Sequence, residues 1–281
     1  MAEIAIGTAR HDDVRTLLRR CRADEAAFAL ALEQGDRGTA WAARDDAEPI
    51  GFALAHDAGD ERYVGALYVE PSYRGQGVGS RLLDAAFSDT EAAARSLLLD
   101  GFDPASVALA LRAGLAPLET LVNVAGAVPR ENLLLPMAAG DYRFEVDAID
   151  PVAHEFGLRA LDRETRGTTH DHVRLAAGAA GLAFFTGGEF VAYAYVWQDG
   201  RIGPMASASS AYQVQIFAYA LASLQRTHGA SWCTALIPAR AVRLLRAALR
   251  SGLRVERTFS LAAETPLPDA SRYVGFHRLV L

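Results

Sequence analysis

Tyr63–Phe87, which reads YVGALYVEPSYRGQGVGSRLLDAAF, is the stretch that decides the fold of this chain. Its first part, Val64–Val69, is rich in β-branched and aromatic residues, which predicts a strand. Pro71 ends that strand because it has no N–H to donate to a sheet. After Arg74–Gly79, apolar residues recur at helical spacing, which predicts a helix that starts near Ser80. The stretch therefore predicts a strand, a glycine-rich loop and a helix, in that order.

The loop of this stretch has the composition of an anion-binding site. Glycines at alternate positions allow the backbone to turn tightly and bring its N–H groups close to a ligand. The start of the helix adds unpaired N–H groups and the positive end of the helix dipole. Arg74 adds a full positive charge. We therefore predict that the loop binds a pyrophosphate, while a glycine turn without a ligand is the alternative.

The spacing of the loop narrows the class of ligand. It lacks the Lys-Ser/Thr pair of a nucleoside-triphosphate P-loop, and its G-x-G-x-G differs from the G-x-G-x-x-G of a dinucleotide fold. The string VEPSYRGQGVG at Val69–Gly79 resembles the acetyl-coenzyme A signature of the GNAT acyltransferase family, V-x-P-x-x-[Q/R]-G-x-G-x-[G/A], and meets every specified position. The resemblance implies acetyl-CoA as the cofactor. The residues expected to bind it are Leu67, Val69, Arg74, Gly75, Gln76, Gly77, Val78, Gly79, Ser80 and Asp103.

Composition excludes several other classes of protein. The chain has 281 residues, 51% hydrophobic and 22% charged, which suits one large or two medium globular domains. A net charge of −6 and the absence of a basic run predict no nucleic-acid or membrane partner. Cys21 and Cys233 lie far apart, which disfavours a disulfide framework and a zinc site. Without a signal-peptide pattern or a long apolar run, we expect a cytoplasmic bacterial protein.

The order of predicted elements is βααβββαβαβ, which resembles that of a GNAT domain. Residues 1–128 complete one such domain, residues 129–141 are predicted to be a linker, and residues 142–281 form a second domain. An alanine-rich helix is expected over Asp24–Leu32. We therefore predict an α/β (α+β) protein of two tandem GNAT-like domains. Each is expected to have a mixed, mostly antiparallel sheet flanked by helices.

Three blocks of sequence recur 138 positions apart, which indicates an internal duplication. They are Gly65-Ala66-Leu67 with Gly203-Pro204-Met205, Ser96–Leu99 with Thr234–Ile237, and Arg112–Leu115 with Arg250–Leu253. At the same offset the glycine loop falls on Ala211–Ala218, which contains no glycine. The second copy is therefore predicted to be degenerate and unable to bind coenzyme A in the same way. Its aromatic strand, Phe190–Trp197, either lines an acceptor cleft or belongs to the core.

By resemblance, the acetyl group moves directly from a thioester to an amine. Such a reaction needs a donor to the thioester oxygen, a base for the ammonium and an acid for the thiolate. The resemblance assigns the donor role to the N–H of Val69. The base candidates are Glu70, Asp100 and His56, which stand at or near the ends of predicted strands.

The acid is where the sequence departs from the family. The pattern N-x-x-A-x-x-L-Y-E-K-x-G-F aligns with Asp103–Leu115, and its tyrosine falls on Ala110. Tyr68, Tyr73 or a tyrosine of the second half could replace it. Alternatively, the thiolate leaves without help, since its pKa is low enough.

We expect an N-acetyltransferase that acts on a primary amine of a small molecule or peptide, as a monomer or homodimer. The alternative is a non-catalytic acyl-CoA-binding or sensing protein. A third hypothesis, an enzyme of thiol-cofactor biosynthesis active in its second half, is disfavoured by the missing glycines after Met205. His170-Asp171-His172 lacks a clear third ligand, so no metal site is predicted.

Overall fold

The computed structural model of the protein describes residues 4–21, 39–58, 60–88, 94–101, 103–139 and 142–275, together with residues 90 and 92. These residues form two compact units. Among the described residues, the first contains the chain up to Leu118 and also Ser260–Thr265, and the second contains Glu119–Phe259 and residues 266–275. Each unit therefore includes sequence from both halves of the chain. The domain limits expected from the sequence, 1–128 and 142–281, mark the two duplicated sequences and stay a prediction.

The first unit is a mixed sheet with helices on its faces. Its elements are β1 (Ala5–Thr8), α1 (His11–Cys21), β2 (Thr39–Asp45), β3 (Glu48–Ala58), β4 (Glu61–Val69), a 3-10 turn (Pro71–Tyr73), α2 (Val78–Ser88), β5 (Ala94–Asp100), α3 (Pro104–Arg112) and the start of β6 (Ala116–Ala127). Strands β1 to β4 are antiparallel neighbours, whereas β4 and β5 are parallel. The helix predicted over Asp24–Leu32 lies outside the described residues.

The second unit repeats this arrangement. Its elements are α4 (Glu131–Ala138), β7 (Glu145–Ala148), α5 (Glu155–Thr165), α6 (His172–Gly178), β8 (Ala180–Thr186), β9 (Glu189–Val196), β10 (Arg201–Ser207), α7 (Gln213–His228), β11 (Trp232–Pro238), α8 (Val242–Arg250), the part of β12 (Arg254–Ala263) that precedes Ser260, a 3-10 turn (Ala270–Arg272) and β13 (Tyr273–Val274). Strands β7 to β10 are antiparallel, and β10 is parallel to β11. From Glu119 onward β6 belongs to this unit, where it pairs with β11. The predicted fold class, two tandem GNAT-like sheets, is confirmed.

Strand alternation in the first unit sends successive residues of β4 to opposite faces of the sheet. The face covered by α1 carries a cluster that Tyr68 joins: Val14, Leu17, Leu18, Phe52 and Leu54. The face covered by α2 carries a second cluster, which Leu67 and Val69 join: Val78, Leu82, Leu83, Ala86 and Leu97 are among its members. The alternation therefore separates Tyr68 from its two neighbours.

The segment predicted to be a linker, residues 129–141, contains helix α4. Pro136 lies inside this helix, although proline usually interrupts a helix because it has no N–H to donate. Leu134 is buried in the core of the second unit. Tertiary burial stabilises a short helix that local propensity alone would not predict. Among the described helices, none combines the length and hydrophobicity needed to span a bilayer.

Candidate functional site

Strands β4 and β5 pair only over their first residues. The register joins Glu61–Val64 to Ala94–Leu97, and the pairing stops there although β4 continues to Val69. The two parallel strands therefore separate toward their carboxyl ends and leave an opening between them. In open α/β sheets, ligands bind at such carboxyl ends.

The backbone of β4 directs alternate peptide groups into this opening. The N–H of Glu70 donates to the carbonyl oxygen of Ile50 at 2.8 Å, so these two residues form a hydrogen-bonded pair of the β3–β4 ladder. In an antiparallel ladder such pairs alternate with pairs whose N–H and C=O groups point away from the partner strand. The register makes Val69 and Leu67 the alternating positions. Their N–H groups therefore face the β4–β5 opening.

The loop after β4 has the backbone of an anion cradle. Gly75 and Gly77 have φ of 78° and 79°, in the left-handed region that favours glycine. A Cβ built on either glycine meets no atom within 4 Å, so the space in front of the loop is open. Helix α2 begins at Val78, two residues before the predicted start, and its first N–H groups have no intrahelical partners. These amides and the helix dipole fit a phosphate group.

Side chains of the loop brace its shape. The Nε of Arg74 donates to the carbonyl oxygen of Val69 at 3.0 Å, and Nε2 of Gln76 donates to the carbonyl oxygen of Ser72 at 3.0 Å. Asp103 caps helix α3, because its carboxylate accepts from the N–H of Ser106 at 2.9 Å. This hydrogen bonding from Ser106 lowers the pKa of Asp103, and the charge of Arg74 contributes. The Asp103 side chain thus has a structural role beside its predicted contact with the cofactor.

Two of the predicted catalytic residues touch each other. The hydroxyl of Tyr68 donates to the carboxylate of Glu70 at 3.2 Å, at the end of β4. Asp100 is exposed at the end of β5, on the other side of the opening. The structure therefore places all three at the carboxyl edge, with Tyr68 on the α1 face of the sheet.

The structure argues against two other candidates, His56 by its position and Tyr73 by its hydrogen bond. His56 pairs with Tyr63, and seven residues of strand separate Tyr63 from Glu70, which is roughly 23 Å. His56 is also buried, which differs from a surface turn. The hydroxyl of Tyr73 donates to the carboxylate of Asp45 at 2.7 Å, and this hydrogen bond raises the pKa of Tyr73. The structure therefore disfavours His56 as the base and Tyr73 as the acid.

Ala110, which aligns with the family's tyrosine, is buried among closely packed side chains. Its exposed fraction is 0%, and it belongs to the same core as Leu97 and Leu115. Protein interiors are close-packed, so this position has no room for an aromatic ring.

We predict that Ala110→Tyr lowers the free energy of unfolding by about 1–3 kcal/mol through overpacking, without raising turnover. Leu111→Tyr is the matched control, because Leu111 is 56% exposed on the same helix. The control should change the free energy of unfolding by no more than about 0.5 kcal/mol. Denaturant unfolding measures both variants. A stable Ala110→Tyr protein with higher activity would contradict the prediction.

The second unit replaces the glycine loop with helix. Val78 begins α2, and 138 positions later lies Ile216, but α7 already begins at Gln213. Phe217 is fully buried in the second core. The residues that match the cradle are therefore helical and packed, as the degenerate sequence predicts.

In the second unit, the two histidines of the His170-Asp171-His172 motif belong to a polar network. Nε2 of His172 lies 2.9 Å from the carboxylate of Asp162, and Nδ1 of His172 lies 3.1 Å from the hydroxyl of Tyr195. Nε2 of His170 lies 2.9 Å from the hydroxyl of Tyr273. In the described part of the chain, no cluster of three or more His, Cys, Asp or Glu residues is arranged to hold a metal ion.

The aromatic strand β9 belongs to this network. The hydroxyl of Tyr193 donates to Asp162, and burial raises the pKa of both Tyr193 and Tyr195. Both tyrosines are fully buried, so they are core residues rather than the lining of an acceptor cleft. The sequence alone did not indicate that Asp162 is the centre of this network. Its signal is a carboxylate beside Leu158 and Leu161 on the buried side of α5.

Comparison with known proteins identifies a family model and a fold that this chain resembles. Residues 11–114 match the model of the acetyltransferase (GNAT) family. A candidate acetyltransferase from Pyrococcus horikoshii superposes with a TM-score of 0.66 over 99% of this chain and 96% of its own, at 16% identity. A tandem GNAT protein from the clavulanic acid biosynthesis pathway superposes with a TM-score of 0.55 over 93% and 98%, at 14% identity. A GCN5-related N-acetyltransferase from Sphaerobacter thermophilus gives 0.55 over 83% of each chain, at 14% identity.

The matched region, with its strand, glycine loop and helix, belongs to the GNAT acetyltransferase family. Members of this family use acetyl-CoA as the acyl donor. At these identities the solved structures show the fold alone, and that fold is the tandem GNAT arrangement over nearly the whole chain.

Proposed function

We propose that this protein is an acetyl-CoA-dependent N-acetyltransferase whose single working site lies in the first unit. The acceptor is a primary amine of a small molecule or peptide. The observation that carries the proposal is the open cradle at Gly75 and Gly77, next to the amides of Leu67 and Val69 that face the β4–β5 opening. This combination offers donors for phosphates at one end and for amide or thioester carbonyls at the other.

In the first unit, different backbone N–H groups would bind different parts of the cofactor. The N–H groups of Gly75–Ser80 and the dipole of α2 would hold the pyrophosphate. The N–H of Leu67 would bind a carbonyl of the pantetheine arm, and the N–H of Val69 would donate to the thioester oxygen as that oxygen gains charge. Bound acetyl-CoA supplies an acetyl group activated as a thioester.

The proton-transfer roles fall on the other face of the sheet. Leu67 and Val69 pack toward α2, whereas Tyr68 packs toward α1. In this proposal the cofactor approaches from the α2 face and the amine from the α1 face, where Glu70 would accept its proton. Tyr68, whose hydroxyl contacts Glu70, is the proposed acid, and Asp100 is a second candidate base at the same edge.

Release of free thiol from acetyl-CoA tests the proposal. The chain contains no lysine, so its side chains offer no primary amine that could be acetylated in the background. A panel of amino acids, polyamines, aminoglycosides and peptides should include acceptors that raise thiol release above the blank. Mass spectrometry of the product should show the acetyl group on nitrogen.

We predict that Glu70→Gln lowers kcat by about 100-fold or more, because it removes the base but keeps the shape of the side chain. The affinity for acetyl-CoA should stay the same, since Glu70 lies outside the loop. Asp60→Gln, at an exposed turn of the same unit, is the control. Equal kcat values for wild type and Glu70→Gln would rule out Glu70 as the base.

The burial of Ala110 favours one competing function, a non-catalytic acyl-CoA-binding protein. It predicts that calorimetry detects acetyl-CoA binding while no acceptor of the panel raises thiol release. That outcome would replace the enzymatic proposal, but it would leave the cofactor site as described.

A further inference from the structure

The second unit has an opening at the position that matches the opening of the first. Strands β10 and β11 pair only at Arg201–Ile202 with Thr234–Ala235. The last pair of the first unit, Val64 with Leu97, becomes Ile202 with Ala235 when 138 is added to each number. The two duplicated sheets therefore begin to open at the same residue pair.

In the second unit the chain fills this opening itself. Strand β13 pairs with β10 in antiparallel fashion, Val274 opposite Met205 and Tyr273 opposite Ala206. On the other side, the N–H of Gly275 donates to the carbonyl oxygen of Leu236 in β11 at 2.9 Å. Met205 is the duplicate of Leu67, whose amide faces the opening of the first unit. The C-terminal strand thus occupies the place that matches the proposed pantetheine site.

Residues that replace the phosphate loop hold this strand in place. Gln213, the duplicate of Gly75, donates from Nε2 to the carbonyl oxygen of Arg272 at 2.6 Å and to the hydroxyl of Ser207 at 2.9 Å. The guanidinium of Arg272 donates to the carbonyl oxygen of Ala208 at 2.9 Å and to the carboxylate of Asp269 at 2.8 Å. A loop suited to phosphate has been replaced by donors aimed at peptide backbone.

Side chains of β13 are packed as tightly as its backbone. Tyr273 is 1% exposed, and its hydroxyl contacts His170. Val274 is fully buried in the main core of the second unit. The segment is therefore recognised through both main-chain and side-chain contacts.

We propose that the opening of the second unit is a strand-binding slot, which takes an extended peptide where the first unit takes coenzyme A, and that Tyr273–Gly275 is its resident ligand. The chemistry of the two ligands is related, because a pantetheine arm is also an extended chain that carries amide groups. A slot between separated strands can bind either by strand-like hydrogen bonds. This proposal concerns the second unit and does not depend on the activity of the first.

Peptide exchange in a cleaved protein tests the slot. A protease site placed between Thr265 and Pro266, in an exposed turn, allows the folded chain to be cut without removing any residue. The C-terminal fragment should stay bound and should exchange for a fluorescent synthetic peptide of residues 266–281 at one per chain. A peptide with Gly275→Pro lacks the N–H that bonds to Leu236, so it should bind at least about tenfold more weakly. A scrambled peptide should not bind.

Two outcomes of this experiment would overturn the proposal. One is equal binding of the native and scrambled peptides, or none by either. The other is uptake of a second coenzyme A per chain after the fragment is removed, which would make the slot a covered cofactor site. Coenzyme A binding and thiol release by the first unit are measured in the same sample, so a failure of the proposed enzymatic function is recognised separately.

A substitution in the intact chain tests the same proposal without requiring the cleaved protein to stay folded. Full-length Gly275→Pro should increase hydrogen exchange at the amides of β10 and β11 while coenzyme A binding by the first unit stays unchanged. Hydrogen exchange identical to wild type would contradict the proposed role of β13.

Discussion

Gly77→Val is expected to lower the affinity for coenzyme A by about 100-fold or more, which corresponds to about 2.8 kcal/mol. Gly77 has a φ of 79°, a conformation that costs a residue with a side chain about 1–2 kcal/mol. The free protein has open space around a Cβ at this position, so the side chain fits when no ligand is bound. It would stand where phosphate has to approach the loop amides. Isothermal titration calorimetry with coenzyme A measures the loss.

Gly188→Val is the matched control for this variant. Gly188 has a φ of 82° and also meets no atom within 4 Å, but it lies in the hairpin turn between β8 and β9. The two variants should lose similar stability, while only Gly77→Val loses coenzyme A binding. Wild-type affinity in Gly77→Val, or an equal loss in both variants, would refute the cradle as the phosphate site.

Asp162→Asn is expected to lower the free energy of unfolding of the second unit by about 3–5 kcal/mol at neutral pH. Asp162 is fully buried and accepts hydrogen bonds from the N–H of His170 at 2.6 Å and from Tyr193. Arg166, which is 5% exposed, keeps its positive charge and contributes to the stabilisation of the Asp162 carboxylate. The amide removes the negative charge that these groups stabilise and one of its hydrogen-bond acceptors. Thermal unfolding should show a midpoint lower by about 10 °C.

The pH dependence of this effect has a definite sign. Burial by itself would raise the pKa of Asp162, but His170, His172 and Arg166 outweigh burial and lower it from 3.8 to about 2. A depressed pKa in the folded state adds stability above the unfolded value, and this stability is lost as the pH falls. The difference between wild type and Asp162→Asn should therefore be largest above pH 3.8 and shrink between pH 3.8 and about 2.

Asp147→Asn makes the same chemical change at an exposed position of β7. It should alter the free energy of unfolding by no more than about 0.5 kcal/mol. A loss of stability by Asp162→Asn that matches this control, or that does not depend on pH, would contradict the role of the buried carboxylate.

Features that depend on neighbouring residues could be predicted from the sequence. The strand, loop and helix around Arg74–Gly79 are confirmed, because β-branched residues, Pro71 and the glycines act through local backbone sterics. The duplication could be predicted for a similar reason, since a constant offset of 138 needs only comparison along the chain. The loss of the loop in the second copy followed directly from its missing glycines.

Packing decided which candidate residues share a site. His56 lies near the end of β3, and only the antiparallel register shows that this end lies far from Glu70. Alignment alone places Ala110 at an acid position, but the core around it has no space for a larger side chain. Asp162 was missed because its partners, His172 and Tyr193, are 10 and 31 residues away.

By itself, the sequence determined the local backbone of a phosphate cradle, the GNAT resemblance and the presence of a degenerate second copy. Only the tertiary structure decided that Leu67 and Val69 face an opening, that Tyr68 contacts Glu70, and that β13 fills the matching opening of the second unit. The physical reason is the distance along the chain between the residues that interact. Turns, caps and strand propensity depend on a few adjacent residues, whereas register, burial and strand insertion depend on contacts between residues far apart in the chain.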